Sequence, residues 1–245
     1  MKLLCCVTYK GTNYQGWQKQ PDTPTIQGEI EKVFSQILNS EINIQGSGRT
    51  DAGVHAENQY FHFETEKDMD LDRLRYSANC LLSKDIFIKS ISKANDDFHA
   101  RYSAKEKIYR YKIRFGERNP LTNDLETNIP YELDGNLLTE SLKKFIGTHN
   151  FADFTSKEED EEGFVRTIKE VTTYYDERND TFEITFIGNG FMRYQIRFMV
   201  GTTLAVASHK ENIDFIKYHL SEKNTREIVS YKAPAEGLYL VDVNY

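Results

Sequence analysis

One segment of this chain, residues 46–56 with the sequence GSGRTDAGVHA, restricts the local backbone more than any other. It has glycines at positions 46, 48 and 53, and glycine adopts backbone angles that are closed to residues with a side chain. The segment can therefore bend tightly and let a ligand come close to its backbone. The bend places one carboxylate, Asp51, between Arg49 and a turn-forming Ala52-Gly53 pair, so the turn orients the side chain.

A carboxylate held in a turn can act as a nucleophile, as a general base or as an anionic stabiliser. Arg49, two residues before Asp51, is placed to keep the carboxylate ionised through its charge and a hydrogen bond. The alternative is that the segment only connects two strands, since glycine-rich turns with Asp and Arg are common in such connections. Composition alone leaves the two interpretations equally open.

The unbroken string GRTDAGVH at residues 48–55 resembles the active-site motif of the TruA family of tRNA pseudouridine synthases. Four other segments are similar to motifs of that family and follow the family's order along nearly the whole chain: YKGTNYQGWQKQ at 9–20, DDFHARYSAKEKIYRYKI at 96–113, GNGFMRYQIRFMVGTTL at 188–204 and AEGLYLVDV at 235–243. Five motifs in the same order indicate more than a chance likeness.

The resemblance implies a fold, an activity and a set of site residues. The fold is α+β, with two related halves whose mixed or antiparallel sheets and helices surround a central RNA-binding cleft. The activity is isomerisation of uridine to pseudouridine in the anticodon stem-loop of tRNA, at positions 38 to 40, with Asp51 as the catalytic carboxylate. Tyr109 would stack on the flipped uracil, and Arg49 would orient Asp51 or take part in base flipping. Arg197 would pair with the Asp51 carboxylate.

An isomerisation adds and removes nothing, so we expect no cofactor. The implied partner is the anticodon arm of tRNA, and we expect a homodimer. No CxxC pair or HxxxH helix is present, so the sequence offers no metal site either.

The chain departs from the family pattern at a few positions, which keeps other functions open. Lys10 stands where the family usually has Asp, and Arg193, Tyr194 and Gln195 differ from the residues expected there. A divergent paralogue could modify another RNA, such as ribosomal RNA. A non-catalytic RNA-binding protein is a second alternative, although the intact GRTDAGVH string argues against it. A glycoside hydrolase would need two paired carboxylates, and the motif presents only one.

The length of 245 residues, 39% of them hydrophobic, allows one large domain or two smaller ones. Since the second half repeats the kinds of element found in the first, we predict an N-terminal α+β domain, 1–105, that carries Asp51. A C-terminal α+β domain, 106–245, would complete the cleft. No run approaches the roughly 18 apolar residues of a membrane span, and the first eleven residues turn polar too quickly for a secretory signal. These features predict a cytoplasmic protein, with Cys5, Cys6 and Cys80 as small core residues.

The net charge of −7 is the main objection to an RNA-binding function, because phosphate binding favours basic surfaces. Five acidic residues form one run at 158–162, which we interpret as a solvated loop. Basic residues alternate with tyrosines in the segment 101–114, a mixture that suits phosphate contact and base stacking. The alternative for this segment is an ordinary strand face with alternating charges.

Hydrophobic periodicity predicts the secondary structure. Helices are predicted near 25–39, with Thr25 as its cap, and near 70–82, 136–146 and 191–209. Strands are predicted at 2–9, 41–47, 58–65, 85–92, 107–115, 166–176 and 181–187. Asp51 would then lie in the connection between two strands.

Overall fold

The computed structural model describes residues 1–158, 163–221 and 225–245, so residues 159–162 of the acidic run lie outside the described part. Its elements in chain order are β1 (Lys2–Tyr9), α1 (Ile26–Leu38), β2 (Gln45–Gly46), β3 (His55–Glu64), α2 (Leu71–Leu81), β4 (Ile86–Ala94), β5 (Glu106–Phe115), β6 (Thr127–Ile129), α3 (Gly135–Lys143), β7 (Gly147–Asn150), β8 (Val165–Asp176), β9 (Thr181–Gly188), α4 (Gln195–Ala207), α5 (Ile213–Leu220) and β10 (Leu238–Asn244). A 3-10 turn, Ala152–Phe154, follows β7. Among the described helices, none combines the length and the apolar character that crossing a membrane requires.

The chain packs as two compact units, one formed by Met1–Lys105 with Tyr239–Tyr245 and the other by Glu106–Leu238. The sequence-based division places residues 239–245 in the second half, and in this respect the structure differs. The reason is that β10 runs parallel to β3, with Tyr239 beside His55, so the last strand of the chain extends the sheet of the first unit. Each unit combines a sheet with helices, which confirms the predicted α+β class.

In the first unit the strand order is β4-β1-β3-β10, and β2 pairs with β3. Strand β1 is antiparallel to both β3 and β4. Helix α1 begins where the Thr25 hydroxyl accepts a hydrogen bond from the Gly28 amide, as the sequence predicts. Its apolar stripe covers the sheet, and the Phe34 ring lies edge-on to Phe61 and Phe63, at centroid distances of 6.1 and 5.2 Å.

In the second unit the strand order is β5-β9-β8-β7, all antiparallel, with β6 added in parallel to β5. Helix α4 is buried on nearly all sides, so it is the central core element of this unit. Helices α3 and α5 are capped at their N-termini by Asp134 and Asn212, whose side chains accept hydrogen bonds from amides of the first turn.

The predicted strand at 41–47 is reduced to the two residues of β2. The amides before it are bound by side chains of α1 instead, since Ile42 N–H donates to Ser35 Oγ at 2.9 Å and Ile44 N–H donates to Glu31 Oε1 at 3.1 Å. Ile42 and Ile44 are nevertheless buried, which explains why their alternation has the appearance of a strand.

The prediction that all three cysteines are core residues is wrong for Cys80. Cys5 and Cys6 are buried, whereas Cys80 is exposed. In α2 the buried residues are Leu74 and Ala78, and Cys80 lies two residues after Ala78, on the opposite side of the helix.

Candidate active site

The segment that contains Asp51 is a closed turn in the first unit. The Val54 amide donates to the Asp51 carbonyl at 3.1 Å, and Gly53 within this turn has φ +80°. A positive φ favours glycine, so the sequence Asp-Ala-Gly-Val matches the turn that it forms. Strand β3 begins at His55, directly after the turn. The turn therefore fixes the main chain of Asp51 relative to the start of β3.

The loop after β1 holds this turn on both sides of Asp51. The Trp17 amide donates to the Thr50 carbonyl at 3.0 Å, and the Gly53 amide donates to the Tyr14 carbonyl at 3.3 Å. The Tyr9 hydroxyl adds a hydrogen bond of 2.7 Å with Thr50 Oγ1. Two segments that resemble separate family motifs, 9–20 and 48–55, thus form one hydrogen-bonded structure.

Close backbone contact between these two segments requires glycine. A Cβ atom at Gly11 would lie 2.0 Å from the Val54 carbonyl oxygen, and a Cβ atom at Gly16 would lie 2.6 Å from the Thr50 carbonyl oxygen. Gly16 also has φ +87°. Side chains at these positions would push the loop away from the residues on either side of Asp51.

Two buried polar side chains hold the ends of the turn. Gln59 on β3 is fully buried, accepts a hydrogen bond from Ser47 Oγ, and donates from Nε2 to the Gly48 carbonyl at 2.9 Å. At the other end, His55 Nδ1 accepts a hydrogen bond of 3.1 Å from the Gly11 amide, so Nδ1 is the unprotonated nitrogen of that ring. The His55 ring also stacks on Tyr239, with centroids 4.7 Å apart.

Asp51 itself is half-buried, while its neighbours Arg49 and Ala52 are exposed. The Arg49 side chain is exposed, and its predicted role in orienting Asp51 stays a prediction. Its predicted part in base flipping stays a prediction. The structure thus combines a fixed main chain around residue 51 with a side chain that solvent can reach.

Tyr109 and Arg197, the other two predicted site residues, belong to the second unit. Tyr109 lies on β5 opposite Phe186 of β9, is only 7% exposed, and meets the Phe191 ring edge-on at 5.2 Å. Its ring is therefore held in a fixed orientation by aromatic packing. The predicted stacking of this ring on a uracil stays a prediction.

Arg197 lies in the first turn of α4 and is bound to the segment before β10. Its Nε donates to the Ala233 carbonyl at 2.8 Å, and its own carbonyl accepts from the Ala233 amide at 2.9 Å. The guanidinium carbon lies 5.3 Å from the centre of the Tyr194 ring. These contacts fix the side chain, and the predicted pairing of Arg197 with Asp51 stays a prediction.

Most of the segment 101–114, in which cations alternate with tyrosines, behaves as an ordinary strand face. Arg110 and Lys112 both pair with Glu183 on β9, at 3.2 and 3.4 Å, and Arg114 pairs with Glu126. Tyr111 is fully buried; burial raises the pKa of its hydroxyl, which donates to the Pro234 carbonyl at 2.9 Å. The exposed residues of the pattern are Arg101, Tyr102 and Lys105, and the Arg101 guanidinium lies 5.5 Å from the centre of the Tyr102 ring.

Sequence reasoning missed the residues that support the Asp51 turn. Burial raises the pKa of Tyr14, whose hydroxyl hydrogen-bonds Ser83 Oγ at 2.7 Å and whose carbonyl holds Gly53. Gln59 could have been suspected, because a glutamine at an inward position of a strand needs buried partners. Among the described residues, no group of three or more His, Cys, Asp or Glu side chains is arranged to hold a metal ion.

Comparison of the chain with known proteins identifies its relatives. A family model described as tRNA pseudouridine synthase matches residues 5–103 and 142–245. The tRNA pseudouridine synthase A of Geobacillus sp. (strain WCH70) is 40% identical over 246 residues, which cover 100% of this chain and 98% of that protein. The tRNA pseudouridine synthase A of Streptococcus uberis is 38% identical over 241 residues, covering 98% of this chain and 96% of the relative. A solved Cbf5-Nop10-Gar1 complex is a far more distant likeness, with a TM-score of 0.36, 11% identity, and 82% of this chain and 53% of that chain covered.

Proposed function

Because this chain belongs to the tRNA pseudouridine synthase family, we propose that it isomerises uridine to pseudouridine in the anticodon stem-loop of tRNA, with Asp51 as the catalytic carboxylate. The hydrogen-bonded turn that contains Asp51 supports this proposal. Main-chain hydrogen bonds from Trp17 and to Tyr14 flank Asp51, which itself stays accessible. A catalytic group needs a fixed position and access to substrate, and this turn provides both.

The reaction breaks the bond between N1 of the uracil and C1′ of the ribose and forms a bond between C5 and C1′. The hydrogen on C5 is lost as a proton and N1 gains a proton, so atoms and electrons balance without a cofactor. We assign Asp51 to the sugar, where it adds to C1′ or removes the 2′ proton. In either step the carboxylate must be ionised, and a turned-out nucleotide must reach it.

The remaining assignments follow from the same family membership. Tyr109 stacks on the turned-out uracil, Arg197 pairs with the Asp51 carboxylate, and Arg49 takes part in base flipping. The fixed Tyr109 ring and the anchored Arg197 side chain support these roles, because both groups are preorganised by their neighbours. We further expect a homodimer that acts in the cytoplasm on tRNA.

The test uses anticodon-arm RNA labelled with tritium at C5 of uridine, because the reaction releases this label to water. We expect release by the wild-type protein and none by Asp51→Asn or Asp51→Ala. Asp68→Asn is a matched control, since Asp68 is an exposed carboxylate of the same unit with only a 4.0 Å contact to Lys93. Circular dichroism and thermal unfolding check that each variant folds. Undiminished release by a folded Asp51→Ala protein would exclude Asp51 from the chemistry.

A second measurement separates the proposal from its two alternatives. Primer extension after chemical adduct formation maps pseudouridines in cells that lack the protein. Loss of tRNA sites 38 to 40 supports the proposal, whereas loss of ribosomal RNA sites supports a divergent paralogue. RNA binding with no release of label from any RNA would indicate a non-catalytic RNA-binding protein.

A further inference from the structure

Three cations gather around one tyrosine ring in the second unit. Lys232 Nζ lies 4.4 Å from the centre of the Tyr194 ring, and the guanidinium carbons of Arg193 and Arg197 lie at 4.8 and 5.3 Å. Arg193 also donates a hydrogen bond of 3.1 Å to the Tyr194 hydroxyl. Tyr194 has φ +62°, a left-handed conformation that is uncommon for a residue with a bulky side chain. We call Arg193, Tyr194 and Lys232 the cation cluster.

The charges of the cation cluster are not neutralised within the described part of the chain. Neither Arg193 nor Lys232 has a described carboxylate within 4.0 Å, and both side chains are exposed. Arg110 and Lys112 of the same unit, by contrast, both pair with Glu183. Both cations lie beside the same ring in a protein with a net charge of −7. Such a positive site attracts an anion.

The backbone holds the cluster in place from two sides. The Ala233 amide and carbonyl both bond to Arg197, so Lys232 is fixed beside the first turn of α4. This approach depends on Gly201, where a Cβ atom would lie 2.6 Å from the Tyr231 carbonyl oxygen. On the other side, the Arg193 carbonyl accepts a hydrogen bond of 2.8 Å from Thr155 Oγ1. A site that is fixed before its ligand arrives binds with a smaller entropy loss.

We propose that the cation cluster binds a backbone phosphate of the RNA substrate. Cations lie over the Tyr194 ring, so the ring supports the charges rather than offering a surface for base stacking. An Arg fork beside a Lys point charge suits the oxygens of a phosphodiester. This inference rests on the proposed function, and it adds a contact that holds the RNA while other residues carry out the chemistry.

The cluster is tested by the salt dependence of RNA binding. Removing one cation that binds a phosphate reduces the slope of log K against log salt concentration by about 1. We expect Arg193→Gln with Lys232→Gln to lower this slope by about 1 to 2 and to weaken tRNA binding roughly tenfold at low salt. In kinetics the effect falls mainly on KM rather than on kcat. Lys217→Gln is the matched control, because Lys217 is an exposed lysine of the same unit that pairs with Asp214 at 2.7 Å.

Two variants of Tyr194 test the contribution of its ring. Tyr194→Phe keeps the ring beneath the cations and should retain most of the affinity. Tyr194→Asn tolerates the left-handed backbone but removes the ring, so it should reproduce part of the weakening seen in the double variant. An unchanged affinity and salt slope in the folded double variant would overturn the inference. Tritium release distinguishes a failure of this inference from a failure of the proposed function. Release by the wild-type protein together with an unchanged salt slope in the double variant refutes only phosphate binding by the cation cluster. A reduced salt slope with no release by the wild-type protein refutes only the proposed reaction.

Discussion

The amide of Trp17 donates a hydrogen bond of 3.0 Å to the carbonyl of Thr50, the residue directly before Asp51. This bond joins two segments that are more than thirty residues apart in the chain. It is possible only because Gly16 lets the two backbones come together, so the position of the carboxylate depends on a residue without a side chain. The first two predictions concern residues that hold the Asp51 turn in place.

Gly16→Ala should destabilise the protein and reduce its activity. The added Cβ atom would lie 2.6 Å from the Thr50 carbonyl oxygen, and the backbone there has φ +87°. Gly116→Ala is the control, since Gly116 has φ +70° but no atom within 4 Å of the added Cβ. Strain alone costs about 1 to 2 kcal/mol, and Gly16→Ala should cost more than the control and lower tritium release as well. Urea unfolding and the release assay measure the two effects, and equal behaviour of both variants would contradict the expectation.

Gln59→Leu should loosen the start of the Asp51 turn. The buried glutamine binds Ser47 and the Gly48 carbonyl, and leucine leaves both without this partner. An unsatisfied buried polar group costs about 1 to 3 kcal/mol, and we expect a decrease of this size in the free energy of unfolding, together with a lower kcat. Gln20→Leu, at an exposed glutamine of the same unit, should leave both quantities nearly unchanged. If the two variants unfold at the same urea concentration, Gln59 does not support the turn.

The sequence predicts those parts of the fold that depend on local patterns. The apolar stripe of α1 and its Thr25 cap can be read from residues close together in the chain, and both are confirmed. The segment 41–47 has the pattern of a strand because Ile42 and Ile44 alternate with polar residues. Its amides bind Ser35 and Glu31 of α1, and alternation does not reveal such partners on a neighbouring helix.

The candidate site also has some features that the sequence predicts and others that it does not. The glycines around Asp51 predict a tight turn, and the structure has one with Gly53 at positive φ. The hydrogen bonds from the loop that contains Tyr14 and Trp17 arise only when the chain folds, so spacing could not predict them. The cations beside Tyr109 suggest RNA contact in the sequence, but Arg110 and Lys112 are paired with a carboxylate on the next strand.

His62 should make the protein less stable in mild acid. Burial, followed by the charges of His99 and Lys2, lowers the pKa of His62 below 6.5, and its Nδ1 accepts a hydrogen bond of 3.1 Å from the Ala100 amide. The unfolded state therefore binds more protons than the folded state below the unfolded pKa. The contribution of His62 to the free energy of unfolding is fully present above about pH 6.5. It is lost as the pH decreases through the pKa of the folded state.

The pH effect is measured by urea unfolding at a series of pH values between about 8 and 5, which bracket the ordinary histidine pKa. His62→Gln keeps a hydrogen-bond acceptor without a titrating ring, so its free energy of unfolding should depend less on pH than that of the wild-type protein. The pKa of His99 is also lowered, mainly by burial, and the double variant His62→Gln with His99→Gln should have the smallest dependence. Comparison at about pH 8, where both imidazoles are neutral, removes the direct effect of the substitution. Identical pH slopes for wild type and double variant would refute this account.

Tyr109→Phe and Tyr109→Leu should separate the ring from the hydroxyl. The ring packs against Phe191, so phenylalanine preserves this contact and leucine removes it. If the ring stacks on the uracil, Tyr109→Phe retains most of the tritium release, and Tyr109→Leu reduces it by roughly tenfold or more, consistent with the roughly 1 to 3 kcal/mol of one base–aromatic stack. Tyr174→Leu, at a tyrosine of β8 that is 64% exposed, is the control. Equal release by the phenylalanine and leucine variants would exclude stacking by this ring.

Asp153→Ala should be the most destabilising of these substitutions, although Asp153 lies outside the predicted site. Its carboxylate is buried, hydrogen-bonded to His219 Nδ1 at 2.7 Å and to the Glu227 amide at 2.8 Å, and so connects the 3-10 turn to α5 and to the segment that follows. Removing it leaves the buried His219 ring and the Glu227 amide without this partner, and each lost partner of this kind costs about 1 to 3 kcal/mol. Asp214→Ala removes the exposed partner of Lys217, and its effect on urea unfolding should be small by comparison. Because the tertiary structure of the second unit depends on Asp153, loss of activity in Asp153→Ala should parallel loss of folded protein, and a fully folded but inactive variant would instead assign Asp153 to the site.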